Sequence, residues 1–487
     1  MPRVKTKHKV VRTQLAKVPT GIQGLDEVTG GGLPKGRVTL VCGRAGCGKS
    51  LLAMEFLVHG AVEYGEPGVC MNFEETEEKL TANVASLGFD LRDLIKRKKL
   101  LVDYVFIDRN EIAESGEFNL DGLFIRLAQA VKATKAKRVV LDSVEALFSG
   151  IADSAILRSE LSRLFRWLEE QNLTAIVTGE AGINTLTRHG LEEYVADCVI
   201  SLDHRVTEQI STRRLRVVKY RGTSHGTDEY PFLIDEEGIS VVPITSLALT
   251  HKALTDRVST GVLSLDEMME GKGFFRGSSV LVTGTAGTGK SSLAANFTSA
   301  ACARGETCLY FTFEESPSQI LRNMRSVGLD LAPWMKKGLL HFNAMRPTST
   351  GLEGHLAVIH RLISQIHPTV VVIDPITNLV STSGSYDIKS MLVRLVDFLK
   401  MQQITSMFTN LTFAGDPQER TAAAVSSLMD TWIVLRDGNP NGRTRRELYV
   451  LKSRGMAHSR EARELIVSKK GLELGIVLKD HTQTATE

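Results

Sequence analysis

Two stretches of the 487-residue chain have the residue types and spacing to cradle a phosphate. Gly43-Arg44-Ala45-Gly46-Cys47-Gly48-Lys49-Ser50 and Gly284-Thr285-Ala286-Gly287-Thr288-Gly289-Lys290-Ser291 both fit G-x-x-x-x-G-K-[ST]. Each follows an apolar run and opens an amphipathic one, the strand-then-helix context in which that pattern has a mechanism. The glycines let backbone N–H groups wrap the anion, and the helix N-terminus adds its positive end. Lys49 and Lys290 then reach the β and γ phosphates, while the hydroxyls of Ser50 and Ser291 serve Mg²⁺; Leu51 and Ser292 complete the two ATP-binding stretches. A fortuitous glycine-rich turn is a fair rival for one match, but not for two at equivalent places.

Asp142 and Asp374 each end an apolar run, where a magnesium-side carboxylate belongs. The pairs Glu74-Glu75 and Glu314-Glu315 follow the predicted strands 69–73 and 308–313. They fall at the carboxyl edge of a sheet, where ligands of open α/β sheets sit, and a carboxylate there can deprotonate an attacking water or hydroxyl. A solvated turn is the rival for such a pair. Lys219 and Arg221 recur as Lys452 and Arg454 within K-x-R-G. Alternate positions on one strand would point both cations the same way, suited to stabilising phosphoryl charge. On spacing alone a solvated basic strand explains them equally well. Cys47 lies inside the first phosphate loop beside Lys49; such a thiol can be acidified, although a tolerated small side chain is the ordinary reading.

The elements that must hold these groups come as two copies of one domain. Thr20-Gly21-Ile22-Gln23-Gly24-Leu25-Asp26-Glu27 returns as Thr260-Gly261-Val262-Leu263-Ser264-Leu265-Asp266-Glu267, and the later landmarks repeat in the same order. The period is far above that of a solenoid repeat. Within each copy short apolar runs, such as 37–42 and 139–141, alternate with amphipathic stretches such as 51–60 and 159–171. This predicts βαβ units: an α/β fold with two tandem P-loop domains, each a mainly parallel sheet with helices on both faces. The expected division is a basic arm at 1–14, domains at 15–247 and 248–476, and a polar tail at 477–487.

Composition narrows the function. The 59 Lys and Arg nearly balance 56 Asp and Glu, so a dedicated nucleic-acid binder is not expected. Six cysteines show neither a C-x-x-C pair nor zinc spacing, and no apolar run is long enough to span a bilayer. The arm with Arg3, Lys5, Lys7, Lys9 and Arg12 lacks the apolar core of a signal peptide, and a cytoplasmic protein is expected.

The duplicated P-loop, the tandem glutamates after the next strand and the late K-x-R-G-x-x-H together resemble the KaiC family of circadian-clock ATPases and autokinases, over roughly 15–475. That resemblance implies two RecA-like domains per protomer, a double-ring homo-hexamer, and ATP at subunit interfaces. It implies slow hydrolysis in the first domain, with Glu74 and Glu75 activating water, and autophosphorylation in the second, with Glu314 as kinase base. It also implies contacts to a neighbour's ATP from Lys219, Tyr220, Arg221, Thr223 and His225, and from Lys452, Ser453, Arg454 and His458. The family's acceptors precede an Asp-Thr, here Asp430-Thr431, so the acceptors would be Ser426 and Ser427. Aligning Asp430 with Asp197 sets Glu193 and Tyr194 opposite them, which confines the kinase role to the second copy. A KaiB-like partner is compatible with the resemblance. A KaiA-like activator is not expected, because only a short tail follows Ile476. Two further readings stand beside this one. A RecA-like DNA motor would use the clusters Arg213-Arg214-Leu215-Arg216 and Arg443-Thr444-Arg445-Arg446. A nucleotide-gated scaffold would have no need of both lysines, both aspartates and both glutamate pairs.

Overall fold

The computed structural model describes residues 15–106, 120–148, 154–182, 185–188, 190, 195–207, 210–243, 253–346, 351–377, 385–412, 427–438 and 445–478. The arm at 1–14, the join near 247, Ser426, Glu193, Tyr194 and the tail beyond Leu478 lie outside them. The chain divides into two compact units, Met1–Thr245 and Ser246–Glu487.

In the first unit the strands are β1 (Val38–Gly43), β2 (Gly68–Asn72), β3 (Leu100–Tyr104), β4 (Arg138–Asp142), β5 (Thr174–Glu180), β6 (Cys198–Thr207), β7 (Ile210–Tyr220), β8 (Glu229–Asp235) and β9 (Gly238–Val241). They form one sheet in the order β9-β8-β7-β6-β1-β5-β4-β2-β3. The six from β6 to β3 are parallel, and β7, β8 and β9 turn back antiparallel. β1, β2 and β4 are buried at every residue, as expected when helices cover both faces and strands read as continuous apolar runs. Separate apolar clusters fill the two sides of this sheet.

The second unit repeats the plan with β10 (Ser279–Gly284), β11 (Cys308–Thr312), β12 (Leu340–Ala344), β13 (Val370–Asp374), β14 (Thr405–Leu411), β15 (Thr431–Gly438), β16 (Arg445–Ser453), β17 (Arg463–Ser468) and β18 (Gly471–Val477). Their order is β12-β11-β13-β14-β10-β15-β16-β17-β18, the same topology. The chain therefore has the expected architecture of two tandem RecA-like domains.

The repeated T-G-x-x-x-L-D segment has a structural role. Asp26 Oδ1 accepts from the Thr20 amide and hydroxyl, both at 2.8 Å, and Asp266 Oδ1 accepts from the Thr260 amide at 2.9 Å. These knots hold Leu25 and Leu265 in the two cores.

Candidate nucleotide site

β1 and β10 each run into a phosphate loop, and a helix follows at once, Lys49–Val62 in the first unit and Lys290–Ala303 in the second. The residue before each helix is glycine for a backbone reason. Gly48 and Gly289 have φ of 104° and 103°, left-handed values that a side chain would strain. Without a side chain there, the first amides of the helix stay open to an anion. Lys49 Nζ folds onto the carbonyls of Gly43 and Arg44 at 2.9 and 3.2 Å, and Lys290 Nζ onto those of Gly284 and Thr285 at 2.9 and 2.7 Å. Ala45, Gly46, Ala286 and Gly287 form the rims, while Cys47 and Thr288 face inward. Burial pushes the Cys47 thiol up despite Lys49, so the acidified thiol is not found.

Asp142 closes β4 next to this cradle. The Thr178 hydroxyl from β5 donates to it, as the Thr409 hydroxyl from β14 does to Asp374. Burial raises the Asp142 carboxyl above its ordinary range; the hydroxyls of Thr178 and Ser50 oppose the rise, Glu74 adds to it, and Lys49 counters it. Ser50, Lys49, Glu74 and Asp142 are thus brought together. In the second unit burial lowers the Lys290 ammonium, while Asp374, Glu314 and Asp437 act to hold its proton. A cleft of about 260 Å³ there is lined by Lys290, Ser291, Glu314, Glu315 and Asp374, among others.

Within each glutamate pair the roles separate. Asn83 Nδ2 donates to Glu75 at 3.1 Å and Asn323 Nδ2 to Glu315 at 2.9 Å, so the second carboxylate is tethered to the helix that follows. The first, Glu74 or Glu314, is exposed. Ser143 donates to Glu74, whereas Pro375 at the equivalent place has no donor. Asn72 Oδ1 accepts the amides of both Glu74 and Glu75, at 2.8 and 2.7 Å, which fixes the turn.

The K-x-R segments stand elsewhere. Lys219 pairs with Val199 and Lys452 with Trp432, near the starts of the parallel strands. On its other side Val199 pairs with Leu40, and Gly43 lies three residues further on, roughly 10 Å of strand rise away. The cations therefore sit at the opposite sheet edge from their own phosphate loop. The expectation that lysine and arginine share a strand face needs correction. β7 ends at Tyr220 and β16 at Ser453, so Arg221 and Arg454 enter the turns that follow. Their amides cap Asp197 and Asp430 at 2.9 and 2.8 Å, and Gly222 and Gly455 then adopt positive φ. Arg221 lies 3.6 Å from Asp197, and Arg454 donates to the Ser427 carbonyl at 2.7 Å.

Two residues grouped with these cations turn inward. Tyr220 is buried, with its hydroxyl donating to the Gly32 carbonyl at 2.9 Å and Lys17 over its ring. Ser453 is buried against the Thr431 hydroxyl at 2.9 Å. Their side chains belong to their own cores. Thr223 bonds the neighbouring Ser224 carbonyl, His225 packs at 6.3 Å from Tyr220, and His458 lies 3.5 Å from the Met456 carbonyl. The hydroxyls of Thr178, Thr409 and Tyr310 on the aspartates, and the asparagine tethers, went unread in the sequence. The threonines recur 231 residues apart (409 − 178), one short of the 232 that separates Asp142 from Asp374, which was the available signal.

A family model described as "ATPase: KaiC" matches residues 18–246 and again 258–478. The chain belongs to the KaiC ATPase family. It is 54% identical over 462 residues to "Circadian clock protein KaiC2" of Synechocystis sp., covering 94% of this chain and 81% of that protein. It is 37% identical to "Circadian clock oscillator protein KaiC" of Parathermosynechococcus lividus, over 96% of this chain and 87% of that one. The corresponding protein of Synechococcus elongatus is 36% identical over 94% and 89%. The higher identity to KaiC2 places the chain among KaiC homologues outside the core oscillator. As a KaiC-type ATPase it binds nucleotide. Among the described residues no helix is long and apolar enough to cross a membrane.

Proposed function

We propose that this protein hydrolyses ATP in its first domain and phosphorylates itself on serine in its second, as a timing or signalling switch. The observation that carries the reading is positional. Ser427 and the cations Lys452 and Arg454 stand together at the sheet edge opposite the phosphate loop of their own domain. A phosphoryl donor for that serine must then come from another copy, which favours the family's hexameric ring with ATP between subunits. Ser426, the other candidate acceptor, lies outside the described residues.

In the first domain a water attacks the γ-phosphorus, its proton passes to Glu74, and ADP and phosphate leave. Glu75, tethered by Asn83, holds the turn. In the second domain the Ser427 hydroxyl of one copy attacks the γ-phosphorus held by the next. Glu314 of that next copy takes the proton, ADP departs, and phosphoserine remains. Glu314 fits the role better than Glu315 because it lies close enough to act on Lys290. Ser50 with Asp142 and Ser291 with Asp374 offer hard oxygen donors that fit Mg²⁺, a cation held by one or two carboxylates plus substrate phosphates. When bound it would neutralise phosphate charge. A KaiB-like partner and a cytoplasmic location belong to the same reading.

The DNA-motor alternative is weakened at its best residues: Arg214 is paired with Glu229 at 2.9 Å, and Arg445 stands 3.8 Å from Glu464. The deciding experiment is incubation with Mg-ATP followed by phosphopeptide mapping, with Lys290→Ala as control. Phosphate on Ser427 or Ser426, lost in the control, is expected. Hydrolysis with no incorporation would remove the autokinase and leave the ATPase.

A further inference from the structure

Around the turn that carries Ser427, three cations gather, and one of them is bonded to a carboxylate. Arg454 Nη2 donates to the Ser427 carbonyl at 2.7 Å and Lys452 Nζ to the Met429 carbonyl at 2.8 Å. Lys400 Nζ, from the last turn of the helix Ser385–Met401, donates to Asp430 Oδ1 at 3.0 Å and to the Leu428 carbonyl at 3.4 Å. Asp430 is already shared, since its Oδ2 accepts from the amide and hydroxyl of Ser279, each at 2.9 Å. Burial works to raise the Asp430 carboxyl, but its bonds to Lys400 and Ser279 outweigh this and hold it below the usual range. The cations repel one another. Burial lowers the Lys452 ammonium, and the charges on Arg454 and Lys400 lower it further against the pull of Asp430. A second negative charge placed here would relieve that repulsion.

Space lies next to Asp430, where a cavity of about 370 Å³ has Lys400, Asp430, Arg454 and Arg276 in its wall. The first domain differs at one decisive point. Where the second has Lys400, it has Glu169 in the last turn of the helix Ser154–Glu170. Glu169 is pushed up by burial and then by Asp197, with Arg37 and Arg221 opposing. Arg37 and Arg221 each lie 3.6 Å from Asp197. The first cluster therefore holds two carboxyl groups among its cations, and the second exchanges one of them for a lysine.

We infer that Lys400, Lys452 and Arg454 form a receptor for a phosphoryl group carried on Ser427. The inference rests on the reading of Ser427 as an acceptor. A side chain and a carbonyl of one residue share a Cα, so a phosphoryl group on Ser427 Oγ comes within one rotamer of the guanidinium that already holds its carbonyl. A phosphoserine near neutral pH brings nearly two negative charges and three acceptor oxygens, which match the excess of cations. The consequence is competition. In the proposed ring Lys452 and Arg454 exchange the Met429 and Ser427 carbonyls for a neighbour's nucleotide; once Ser427 is phosphorylated they are drawn onto the chain's own phosphate, so each phosphorylated copy weakens the next copy's site.

The test uses the full chain with phosphoserine installed at 427 during translation, so that it does not depend on self-phosphorylation. Titration of the phosphate by ³¹P NMR should give a second pKa at least about one unit below the ordinary value near 6. Lys400→Gln should raise it by roughly half a unit or more, and Lys400→Arg should keep it low. Molar salt should raise it in the unsubstituted chain, which keeps the test open if Lys400→Gln does not fold. An ordinary phosphoserine titration, unmoved by Lys400→Gln or by salt, would overturn the receptor. Failure of the autokinase reading shows differently, as absence of ATP-derived phosphate on a chain whose installed phosphoserine still titrates low.

Discussion

The two domains share a sheet order and a phosphate cradle but surround the reacting groups differently. In the first, Asp142 meets the Thr178 hydroxyl, Glu74 meets that of Ser143, and the fully buried neighbour on β2 is Cys70. In the second, Asp374 is held by both Thr409 and Tyr310, and Pro375 replaces the serine donor. Duplication has kept the backbone of the phosphate loop and changed the side chains around Asp142 and Asp374. The proposed division of labour predicts that the two exposed glutamates are not interchangeable. Glu74→Gln should lower ATP hydrolysis by about 10²–10⁴-fold and spare serine phosphorylation, and Glu314→Gln should do the reverse. Equal effects of either substitution on both activities, measured by phosphate release and phosphopeptide yield, would break the comparison.

A second difference lies inside the phosphate-loop helices. Glu55, 1% exposed, stands where the second domain has Asn296. Burial pushes its carboxyl up to about 8; the Ile239 amide, donating to Oε1 at 2.7 Å, opposes the rise, and Asp235 adds to it. Between pH 4.5 and 8 the folded domain holds a proton that the unfolded chain has released, so stability falls as pH rises through that window and levels off above it. Glu55→Gln removes the proton and keeps an acceptor for Ile239. At pH 8 it should stabilise the first domain by about 2–4 kcal/mol, with little change near pH 4.5. Thermal melts at several pH values check this. A first-domain transition with the same pH dependence in the variant would count against a buried neutral carboxyl. Asn296→Asp is the converse test in the second domain.

The cradles were legible because their chemistry is local: glycine, lysine and serine at fixed spacing leave the backbone little choice. Asp142 and Asp374 were legible for a related reason, since each ends an apolar run whose end is itself a position in the sheet. That β1 to β6 run parallel followed from alternating strand and helix patterns. The cations at 219, 221, 452 and 454 were legible as a repeat but not as a place. Their position depends on β7 and β16 running antiparallel to β6 and β15, a long-range pairing that spacing does not encode. The ends of those strands escaped for the same reason, so Arg221 and Arg454 were expected on a strand face that they have already left. Tyr220 and Ser453 were grouped with these cations through adjacency, and burial separates them. Lys400 was invisible because its partners Leu428 and Asp430 lie about thirty residues away, and only the folded helix end brings them together.

The smallest predicted effect isolates one bond that only the second domain makes. Tyr310 is fully buried, and its hydroxyl donates to Asp374 Oδ2 at 2.6 Å. Tyr310→Phe removes that hydroxyl while the ring keeps its place, packed 5.2 Å from Phe342. Asp374 retains the Thr409 hydroxyl, so the carboxylate is loosened and not abandoned. The expected cost is about 1 kcal/mol, or roughly a fivefold slower rate of serine phosphorylation. Hydrolysis that survives Lys290→Ala should be unaffected, because Cys70 occupies the corresponding place in the first domain. If Tyr310→Phe slowed both activities alike, the two sites would be coupled and the contrast between the domains would lose its meaning. If it slowed neither, Tyr310 would only fill space, and Thr409 alone would orient the carboxylate.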